Sequence, residues 1–437
     1  MACVQRSWAV RRSSASTRAT TTNPRQQLSK YSHVVSEPSA KRAFRQPPNS
    51  KPAFPRAAPS SRQDLWLTAN SAPTESVPPL SQGAPLGTRL TGPDVQHVDF
   101  MVIGSGIAGL SYALKVADYG TVAVVTKDAA SEGCTTYAQG GVCAVLDHTD
   151  SVQNHVKDTM VAGGFLNDPK AVEVVCKEGP ARVLELVQMG ASFTLNEDGS
   201  LHLTKEGGHS SRRIVHAADM TGKEIERALL AAAHAHPNIR FQEHHLVVDL
   251  VVDKHAGMPH CFGADVLDQR SHTLTRIVSL STMLACGGAG QVFPNTTNPH
   301  VATGDGIAMA YRAQADVSNM EFVQFHPTAL HDTTNTGRTF LITEAVRGEG
   351  GVLRNLAGER FMAKYDPERM ELAPRDVVAR SIHTELMLRG EPHVLLDISH
   401  KPRDEVLHHF PNIALKVRAL NLVSWLVTHC ALIHCAC

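Results

Sequence analysis

The sequence predicts an α/β fold with a mainly parallel sheet, because short apolar runs alternate with segments of helical periodicity across residues 98–315. A strand, a helix and a second strand occupy about the first thirty residues of this region, which is the length of a βαβ unit. After about residue 320 the alternation gives way to loops rich in His, Thr and Gly, followed by one predicted helix over 374–389. We therefore expect two domains, one over 97–320 and one over 321–417.

Each element has its own sequence signal. VDFMVIG at 98–104 is an unbroken apolar run, as in a buried parallel strand, and TVAVVTK at 121–127 is short and β-branched. The helix between them is predicted to stop at Gly120. Helical periodicity predicts further helices over 169–189, 222–236 and 307–315, the last of them opening near Gly304. Further strands are predicted over 241–253, 261–267 and 278–286.

The formal net charge of zero conceals two oppositely charged parts. Residues 1–62 hold twelve Lys and Arg, one acidic residue and eleven Ser, for a net charge of +11. Such a basic, serine-rich, weakly hydrophobic segment is typical of an organelle transit peptide and is expected to be disordered. Residues 63–96, rich in Pro, Ser, Thr and Gly, are predicted to form a linker. The remaining 30 basic and 41 acidic residues, net −11, argue against a nucleic-acid partner.

The nine cysteines are scattered, and the body of the chain has no CxxC pair. This usage fits a reducing compartment and excludes a disulfide framework or a zinc site. Cys435 and Cys437 beside His434 form only a weak metal motif, so no metal is predicted. No apolar run of about eighteen residues, which approaches the length of a membrane span, occurs before the C-terminal tail.

The first chemical motif is GSGIAG, with Gly104, Gly106 and Gly109 between the first strand and the first helix. Glycines at this spacing allow a tight turn and let backbone N–H groups approach a pyrophosphate at the helix N-terminus. A purely structural glycine turn does not explain all three positions. The motif therefore predicts a Rossmann-like dinucleotide site, although Lys127 and Asp128 stand where an acid that binds ribose is usual.

Two further glycine-rich segments follow. EGCTTYAQGG at 132–141 lies either along a cofactor or in a polar surface loop. ACGGAG at 285–290, followed by TTNP at 296–299 and ATGDG at 302–306, repeats the pattern of a strand, a glycine turn and a helix. Asp305 in that pattern caps the helix, holds a cofactor hydroxyl, or does both.

Charged residues concentrate in two more segments. KEGGHSSRRIVHAAD at 205–219 is too polar to bury without partners, so it forms either a solvated loop or a site for an anionic ligand that its paired arginines would bind. The second group comprises His326, Thr343, Glu344, Arg347, Arg375 and Asp376. A histidine with two arginines could clamp a dicarboxylate through bidentate, charge-assisted hydrogen bonds.

The ordered motifs of residues 98–415 resemble those of the L-aspartate oxidases, a flavoenzyme family similar to the succinate dehydrogenase and fumarate reductase flavoproteins. In chain order they are VIGSGIAGL, TTYAQGG, EGGHSSRRIVHAAD, ACGGAG, TTNP, GDGIAMA, EFVQFHPTAL, TEAVRGEGG, RFM and ELAPRD. The resemblance implies a Rossmann-like FAD-binding domain with an inserted α+β capping domain. It also implies the first step of de novo NAD biosynthesis, located in a plastid (chloroplast).

The resemblance assigns cofactor contacts residue by residue. Cys134 occupies the place of the histidine that bonds FAD covalently in the dehydrogenase relatives, so the FAD here is expected to be non-covalent. The implied FAD contacts are Gly104, Ser105, Gly106, Ala108, Gly109, Lys127, Thr135, Thr136, Ala138, Gln139, Gly140, Gly141 and Asp305.

The resemblance also assigns the chemistry: L-aspartate becomes iminoaspartate, FAD accepts the hydride, and O2 or fumarate reoxidises the flavin. Glu206 matches the acid that meets the substrate ammonium, and His326 and Thr343 match carboxylate ligands. Arg375 matches the arginine that transfers a proton, with Glu344 and Arg347 as its relay. An arginine base requires a lowered pKa, or another group must take the proton. Quinolinate synthase is the implied protein partner.

The resemblance ends before residue 418. The family continues into a return segment with further flavin and substrate contacts, whereas residues 418–437 read ALNLVSWLVTHCALIHCAC after one arginine. We expect this tail to be the end of a truncated or alternatively spliced product, since its His, Asn, Ser and Thr fit a membrane anchor poorly. Two alternative functions stay open: a dicarboxylate dehydrogenase flavoprotein, and a non-catalytic flavin-binding product.

Overall fold

The structure, a computed structural model, describes residues 94–255, 258–331, 338–419 and 430–433. The predicted transit peptide over 1–62 lies outside these residues, as do nearly all of the predicted linker and most of the predicted tail. The last three linker residues belong to the first strand, which begins at Asp94 rather than at Val98.

A six-stranded mixed sheet forms the centre of the fold, in the order β6-β2-β1-β9-β8-β7. β1 lies between β2 and β9 and is parallel to both, and β2 is parallel to β6, while β9, β8 and β7 are successively antiparallel. These strands are β1 (Asp94–Ile103), β2 (Val122–Val125), β6 (Ile239–Gln242), β7 (His245–His255), β8 (Met258–Asp268) and β9 (Leu274–Leu284). The predicted α/β class with parallel central strands is confirmed.

Six helices belong to the same part of the chain. They are α1 (Ile107–Val116), α2 (Cys134–Tyr137), α3 (Val152–Ala162), α4 (Pro169–Gln188), α5 (Thr221–Ala235) and α6 (Asp305–Arg312). α4 continues through Pro180, and its N-terminus is capped by the Asp168 side chain. α1 and α5 contribute Leu110 and Leu229 to a core that also holds Val102 of β1 and Val124 of β2.

A small three-stranded sheet, in the order β3-β5-β4, carries the first charged segment. Its strands are β3 (Val142–Cys143), β4 (Leu203–Thr204) and β5 (Ile214–Val215). β3 and β4 both pair with β5 in antiparallel fashion. This places the segment after TTYAQGG next to the segment around Glu206.

The later part of the chain has its own sheet and its own apolar core. The sheet is antiparallel, in the order β10-β13-β12-β11. Its strands are β10 (Ala329–Leu330), β11 (Val352–Arg354), β12 (Val394–Asp397) and β13 (Cys430–Ile433). The helices here are α7 (Ala345–Gly348), α8 (Arg375–Arg389), α9 (Arg403–His409) and α10 (Pro411–Ala419). Ile342, Phe361, Ile382 and Leu396 are buried in this second core.

One predicted strand is wrong. The run FQEHHLVVDLVVD at 241–253 is divided between β6 and β7, which lie at opposite edges of the large sheet. The chain turns between them at His244, which has a φ of 58°. The hydrophobic pattern does not reveal a residue in the left-handed conformation, so the break could not be predicted from it.

Among the described residues, no helix has the length and apolar character needed to cross a membrane. The same residues contain no group of three or more His, Cys, Asp or Glu side chains arranged to hold a metal ion.

Candidate active site

A cleft opens where the parallel strands β1, β2 and β9 end. Gly104 follows β1, Lys127 follows β2, and Ala285 follows β9, and all three line the cleft. The carboxyl ends of neighbouring parallel strands are where open α/β sheets bind ligands. The position of the cleft therefore follows directly from the sheet topology.

The glycines of GSGIAG are required by close backbone approaches. Gly104 has a φ of +108°, and a Cβ there would lie 2.3 Å from the Ala285 carbonyl oxygen. A Cβ on Gly109 would lie 2.0 Å from the Gly104 carbonyl oxygen, so α1 sits directly on the turn. A side chain at either position would force the turn, the helix and β9 apart.

The start of α1 is open to a ligand. Its N-cap residue, Gly106, provides no side-chain cap, and the Ile107 N–H is bound by the Thr135 hydroxyl at 3.1 Å. Backbone amides at a ten-residue helix N-terminus attract a phosphate group. A pyrophosphate thus fits the part of the cleft beside Gly104 and Gly106, which have no side chains.

Lys127 is held by the residues that open α6. Its Nζ lies 2.6 Å from Asp305 Oδ2 and 2.5 Å from Thr303 Oγ1. Burial alone would raise the pKa of Asp305, but hydrogen bonds from Lys127 and Thr303 lower it. Asp305 is the first residue of α6 and does not cap it, since Gly304 is the N-cap. The ion pair therefore joins the end of β2 to the start of α6 across the cleft.

The predicted cofactor contacts fall into two groups. Those that line the cleft are Gly104, Ser105, Gly106, Lys127, Thr135 and Asp305. Those outside that lining, as the described part of the chain defines it, are Ala108, Gly109, Thr136, Ala138, Gln139, Gly140 and Gly141. The second group continues away from the cleft toward Glu206, because a Cβ on Gly140 would lie 3.5 Å from Glu206 Oε1. EGCTTYAQGG is therefore not an isolated surface loop.

Two carboxylates and an arginine meet beyond Gly140. Arg375 Nε lies 2.5 Å from Glu344 Oε2, and Arg375 Nη2 lies 3.9 Å from Glu206 Oε2. Both glutamates are buried, whereas about a third of the Arg375 side chain is exposed. Glu344 Oε1 also accepts the Gly207 N–H at 2.9 Å. The structure thus brings together the charged segment around Glu206 and the TEAVRGEGG and ELAPRD motifs.

The environment shifts the pKa of both Glu206 and Arg375. Burial, reinforced by the charge of Glu344, raises the pKa of Glu206 to about 7 in spite of Arg375 and Arg347. Burial alone would lower the pKa of Arg375, but the charge and hydrogen bond of Glu344 raise it. The lowered arginine pKa that a basic Arg375 requires is therefore not found. Glu206 is the group in this cluster that titrates near neutral pH.

The segments that carry His326 and Thr343 are joined by hydrogen bonds between Thr328 and Ile342. Thr328 donates from its hydroxyl to the Ile342 carbonyl at 2.8 Å, and its own carbonyl accepts the Ile342 N–H. His326 Nδ1 lies 2.9 Å from the Thr328 carbonyl oxygen and 3.2 Å from the Thr328 nitrogen; when Nδ1 accepts the Thr328 N–H, the neutral ring carries its proton on Nε2 and can donate it to a ligand. Burial and the nearby arginines Arg375 and Arg347 hold the pKa of His326 well below its usual range, so the ring is neutral.

Arg213 does not bind an anionic ligand, although a site for such a ligand was one of the two interpretations of the paired arginines Arg212 and Arg213. Its side chain is fully buried and binds Asp150 through Nε at 2.6 Å and Nη2 at 2.9 Å, and Asp158 through Nη1 at 2.6 Å. Two carboxylates thus occupy the whole guanidinium. Arg212 is exposed. Arg213 fixes the fold of the segment, and Glu206 alone among its acidic residues points into the cluster with Arg375.

Three residues at the site were missed by the sequence analysis as site residues. Gln324 Oε1 accepts a hydrogen bond from Arg375 Nη1 at 3.0 Å. Gly207 has room for no side chain, since a Cβ would lie 2.5 Å from Glu344 Oε1. Cys143 lies 3.5 Å from His209 Nε2, and burial followed by the charge of Glu206 raises the pKa of its thiol to about 11. For Gln324, the only indication in the sequence was its position two residues before His326.

The sheet topology and the glycine-lined cleft define a dinucleotide-binding α/β protein with a charged site beside the nucleotide cleft. The chain belongs to the FAD binding domain family, whose profile matches residues 99–420. FAD is therefore its cofactor, in agreement with the sequence-based prediction.

The expected likeness to L-aspartate oxidases is confirmed. The chain is 60% identical over 325 residues to L-aspartate oxidase 2-a, chloroplastic, of Nicotiana tabacum, covering 73% of this chain and 50% of that protein. It is 57% identical over 349 residues to L-aspartate oxidase, chloroplastic, of Arabidopsis thaliana, covering 78% and 54%. The chain thus spans about half the length of these curated relatives.

A solved structure shows the same fold. An E. coli quinol fumarate reductase superimposes with a TM-score of 0.71 at 29% identity, covering 78% of this chain and 60% of that one. The likeness agrees with the predicted similarity to fumarate reductase flavoproteins.

Proposed function

We propose that this chain is an L-aspartate oxidase that converts L-aspartate to iminoaspartate. The observation that carries the proposal is the meeting of Glu206, Glu344 and Arg375 beyond the FAD-binding segment that ends at Gly140. A carboxylate suits the substrate ammonium, and an arginine suits its carboxylates. The names of the Nicotiana and Arabidopsis relatives support the same substrate.

FAD, when bound, supplies the acceptor for the hydride that leaves the aspartate Cα. The proposed FAD contacts are the thirteen residues given above, from Gly104 to Asp305. The match of Cys134 to the covalently bonding histidine of dehydrogenases supports non-covalent attachment, and the Cys134 thiol is directed to Asn298 Oδ1 at 3.2 Å.

The chain's own residues bind the substrate and move its proton. Glu206 holds the ammonium group and, with its pKa near 7, takes a proton from it at neutral pH. Neutral His326 and buried Thr343 bind a carboxylate of the substrate without adding a charge.

Arg375 is charged in the resting site and orients a carboxylate. When fumarate replaces O2 as the acceptor, Arg375 donates one proton to it and is then reprotonated. A second proton, passed on from solvent through Glu344, 2.5 Å from Arg375 Nε, restores the charge of Arg375, with Arg347 behind Glu344 at 3.6 Å from its Oε2. In this proposal, Glu206 removes the ammonium proton of the substrate, and no arginine acts as the base.

The wider role follows from the same proposal. Iminoaspartate formation opens de novo NAD biosynthesis, and quinolinate synthase is the proposed consumer of the product. The word chloroplastic in the names of plant relatives, together with the basic leader, supports a plastid location. We also propose that residues 97–320 and 321–417 are the FAD-binding and capping domains, which the two separate apolar cores support.

The proposal is tested by adding L-aspartate anaerobically to the full chain loaded with FAD and following the oxidised-flavin absorbance. We expect L-aspartate to bleach the flavin, while D-aspartate does not, and we expect iminoaspartate to form in equal amount. Acid denaturation should release free FAD.

Two outcomes would replace the proposal. Bleaching by succinate but not by L-aspartate would assign the chain to the dicarboxylate dehydrogenases. Bound flavin that stays oxidised with both compounds would leave a non-catalytic flavin-binding product.

A further inference from the structure

Few hydrogen bonds among the described residues hold the Arg347 guanidinium in place. Its side chain is fully buried, and its closest contact is the main-chain carbonyl of Glu371, which accepts from Nη1 at 2.7 Å. Among the described residues, Nε and Nη2 have no hydrogen-bond partner. Burial, ahead of the neighbouring charges, lowers the pKa of Arg347. The orientation of this side chain toward Glu344 therefore depends on where the Glu371 carbonyl lies.

The Glu371 side chain is fixed from two directions. Its Oε1 accepts the Leu353 N–H of β11 at 3.1 Å and Arg360 Nε at 3.0 Å, and its Oε2 accepts Arg360 Nη2. This bidentate pair is buried on the glutamate side, where the side chain is 4% exposed. A bidentate, charge-assisted pair of this kind holds both side chains in one position and favours the charged form of each.

The segment that carries Glu371 also presents Arg375. The carbonyl of Leu372 accepts the Gly208 N–H at 3.2 Å, next to Glu206. α8 begins with Arg375 directly after Pro374. The residues from Met370 to Pro374 thus connect three parts of the site: the loop of Glu206, the Arg347 guanidinium and the first residue of α8.

We propose that Arg360 and Glu371 are positioning residues for the proton relay: their ion pair sets the Glu371 carbonyl, and through it the alignment of Arg347 with Glu344 and Arg375. The described hydrogen bonds of the Glu371 carboxylate are made to Arg360 and to the Leu353 N–H, and none of these groups belongs to the cluster of Glu206, Glu344 and Arg375. The inference gives a role to the RFM motif and to the Glu of ELAPRD, which the proposed function leaves without one. It rests on that proposed function for its kinetic consequence but not for the anchoring.

The test compares Arg360→Met and Arg360→Lys with a matched control, Arg354→Lys. Arg354 forms a similar arginine–carboxylate pair with Asp397, at 2.9 Å, between β11 and β12. Two quantities are measured in the full chain loaded with FAD: amide hydrogen exchange of residues 345–348 and 370–375, and the pH dependence of the rate at which fumarate reoxidises the reduced flavin.

We expect Arg360→Met to speed exchange in both segments and to slow reoxidation by fumarate at least tenfold, with the pH profile displaced and the KM for fumarate little changed. Arg360→Lys should recover part of the rate, because it keeps the charge but not the fork. Arg354→Lys should leave both segments and the pH profile as they were, even if it lowers the thermal stability.

Exchange that changes only at 370–372, or that changes equally in Arg354→Lys, would overturn the inference. So would an unchanged pH profile in Arg360→Met when the unsubstituted chain is active. If the unsubstituted chain does not reduce its flavin with L-aspartate, the proposed function fails, and the exchange data still decide whether Arg360 anchors Arg347.

Discussion

At the scale of single residues, burial decides which charged groups can take part in chemistry. Arg213 and Arg375 belong to two motifs of similar composition, yet Arg213 is fully enclosed by Asp150 and Asp158 while Arg375 reaches two glutamates and Gln324. The partners of Arg213 lie 63 and 55 residues away in sequence. Since single-sequence motifs report only local spacing, the sequence could not tell the structural arginine from the one at the site.

Glu206 yields a prediction about pH. Its pKa of about 7 lies above the usual value, so the carboxyl is protonated below pH 7 and ionised above it. The ionised form is the one that binds and deprotonates an ammonium group. We therefore expect the rate of flavin reduction by L-aspartate to rise through about pH 7, and Glu206→Gln to lose this limb together with roughly a hundredfold in kcat/KM, about 2.7 kcal/mol. The pH dependence of anaerobic reduction measures both.

Glu226→Gln is the matched control for Glu206→Gln. Glu226 is also a buried glutamate with a raised pKa, but it lies in α5. The Glu226→Gln variant should keep the rise in the rate of flavin reduction near pH 7. A limb that persisted in Glu206→Gln would assign the titration to another group.

At the scale of elements, glycine positions were predicted well and strand breaks were not. Gly104 and Gly109 of GSGIAG could be predicted because each is required by a backbone contact that excludes a Cβ. The division between β6 and β7 could not, because it depends on one left-handed residue, His244, inside a run of strand-forming residues. The small sheet of β3, β4 and β5 was also missed, since its strands are two residues each.

Helix α5 contains a destabilising residue. Glu226 is 3% exposed, and its Oε2 has no hydrogen-bond partner among the described residues. Burial raises its pKa to about 8 from an ordinary 4.5. The folded state therefore binds the extra proton between those values, and stability should fall as pH rises from about 4.5 to about 8, at roughly 1.4 kcal/mol per unit.

Glu226→Gln removes this titration. Thermal unfolding is measured at about pH 5 and about pH 8, two values chosen to span most of the pKa shift. We expect the Tm of the unsubstituted chain to fall more between these two values than the Tm of Glu226→Gln. Parallel curves for the two proteins would show that Glu226 stays ionised in the folded state.

At the scale of the whole molecule, Asp219 ties the later part of the chain to the first charged segment. Its carboxylate accepts three hydrogen bonds at the start of α10: the N–H groups of Asn412 and Ile413 at 3.0 and 3.1 Å, and Asn412 Nδ2 at 2.7 Å. A carboxylate from a distant segment thus caps the helix. The sequence placed Asp219 in a motif but gave no sign of this partner, which lies 193 residues away.

Removing this cap should loosen the helix that it holds. We expect Asp219→Ala to cost about 1–3 kcal/mol of stability, because the helix amides lose a buried partner. It should also speed limited proteolysis within residues 403–419. Asp168→Ala, which removes the local cap of α4, should cost about 1 kcal/mol and leave proteolysis of residues 403–419 unchanged. Equal rates of proteolysis within residues 403–419 in both variants would show that Asp219 does not hold this helix.

The pairing of β1 with β9 also governs how the chain can be made. β1 is among the first segments of the body to leave a ribosome, yet its partner β9, with Ser281 opposite Phe100, is synthesised only after helices α1 to α5 and the small sheet. Contacts between such distant segments close slowly, because a long loop must be ordered before they form. Until then VDFMVI presents an apolar strand with one open edge, which is prone to aggregate. Efficient production should therefore depend on chaperones that keep this strand covered during elongation.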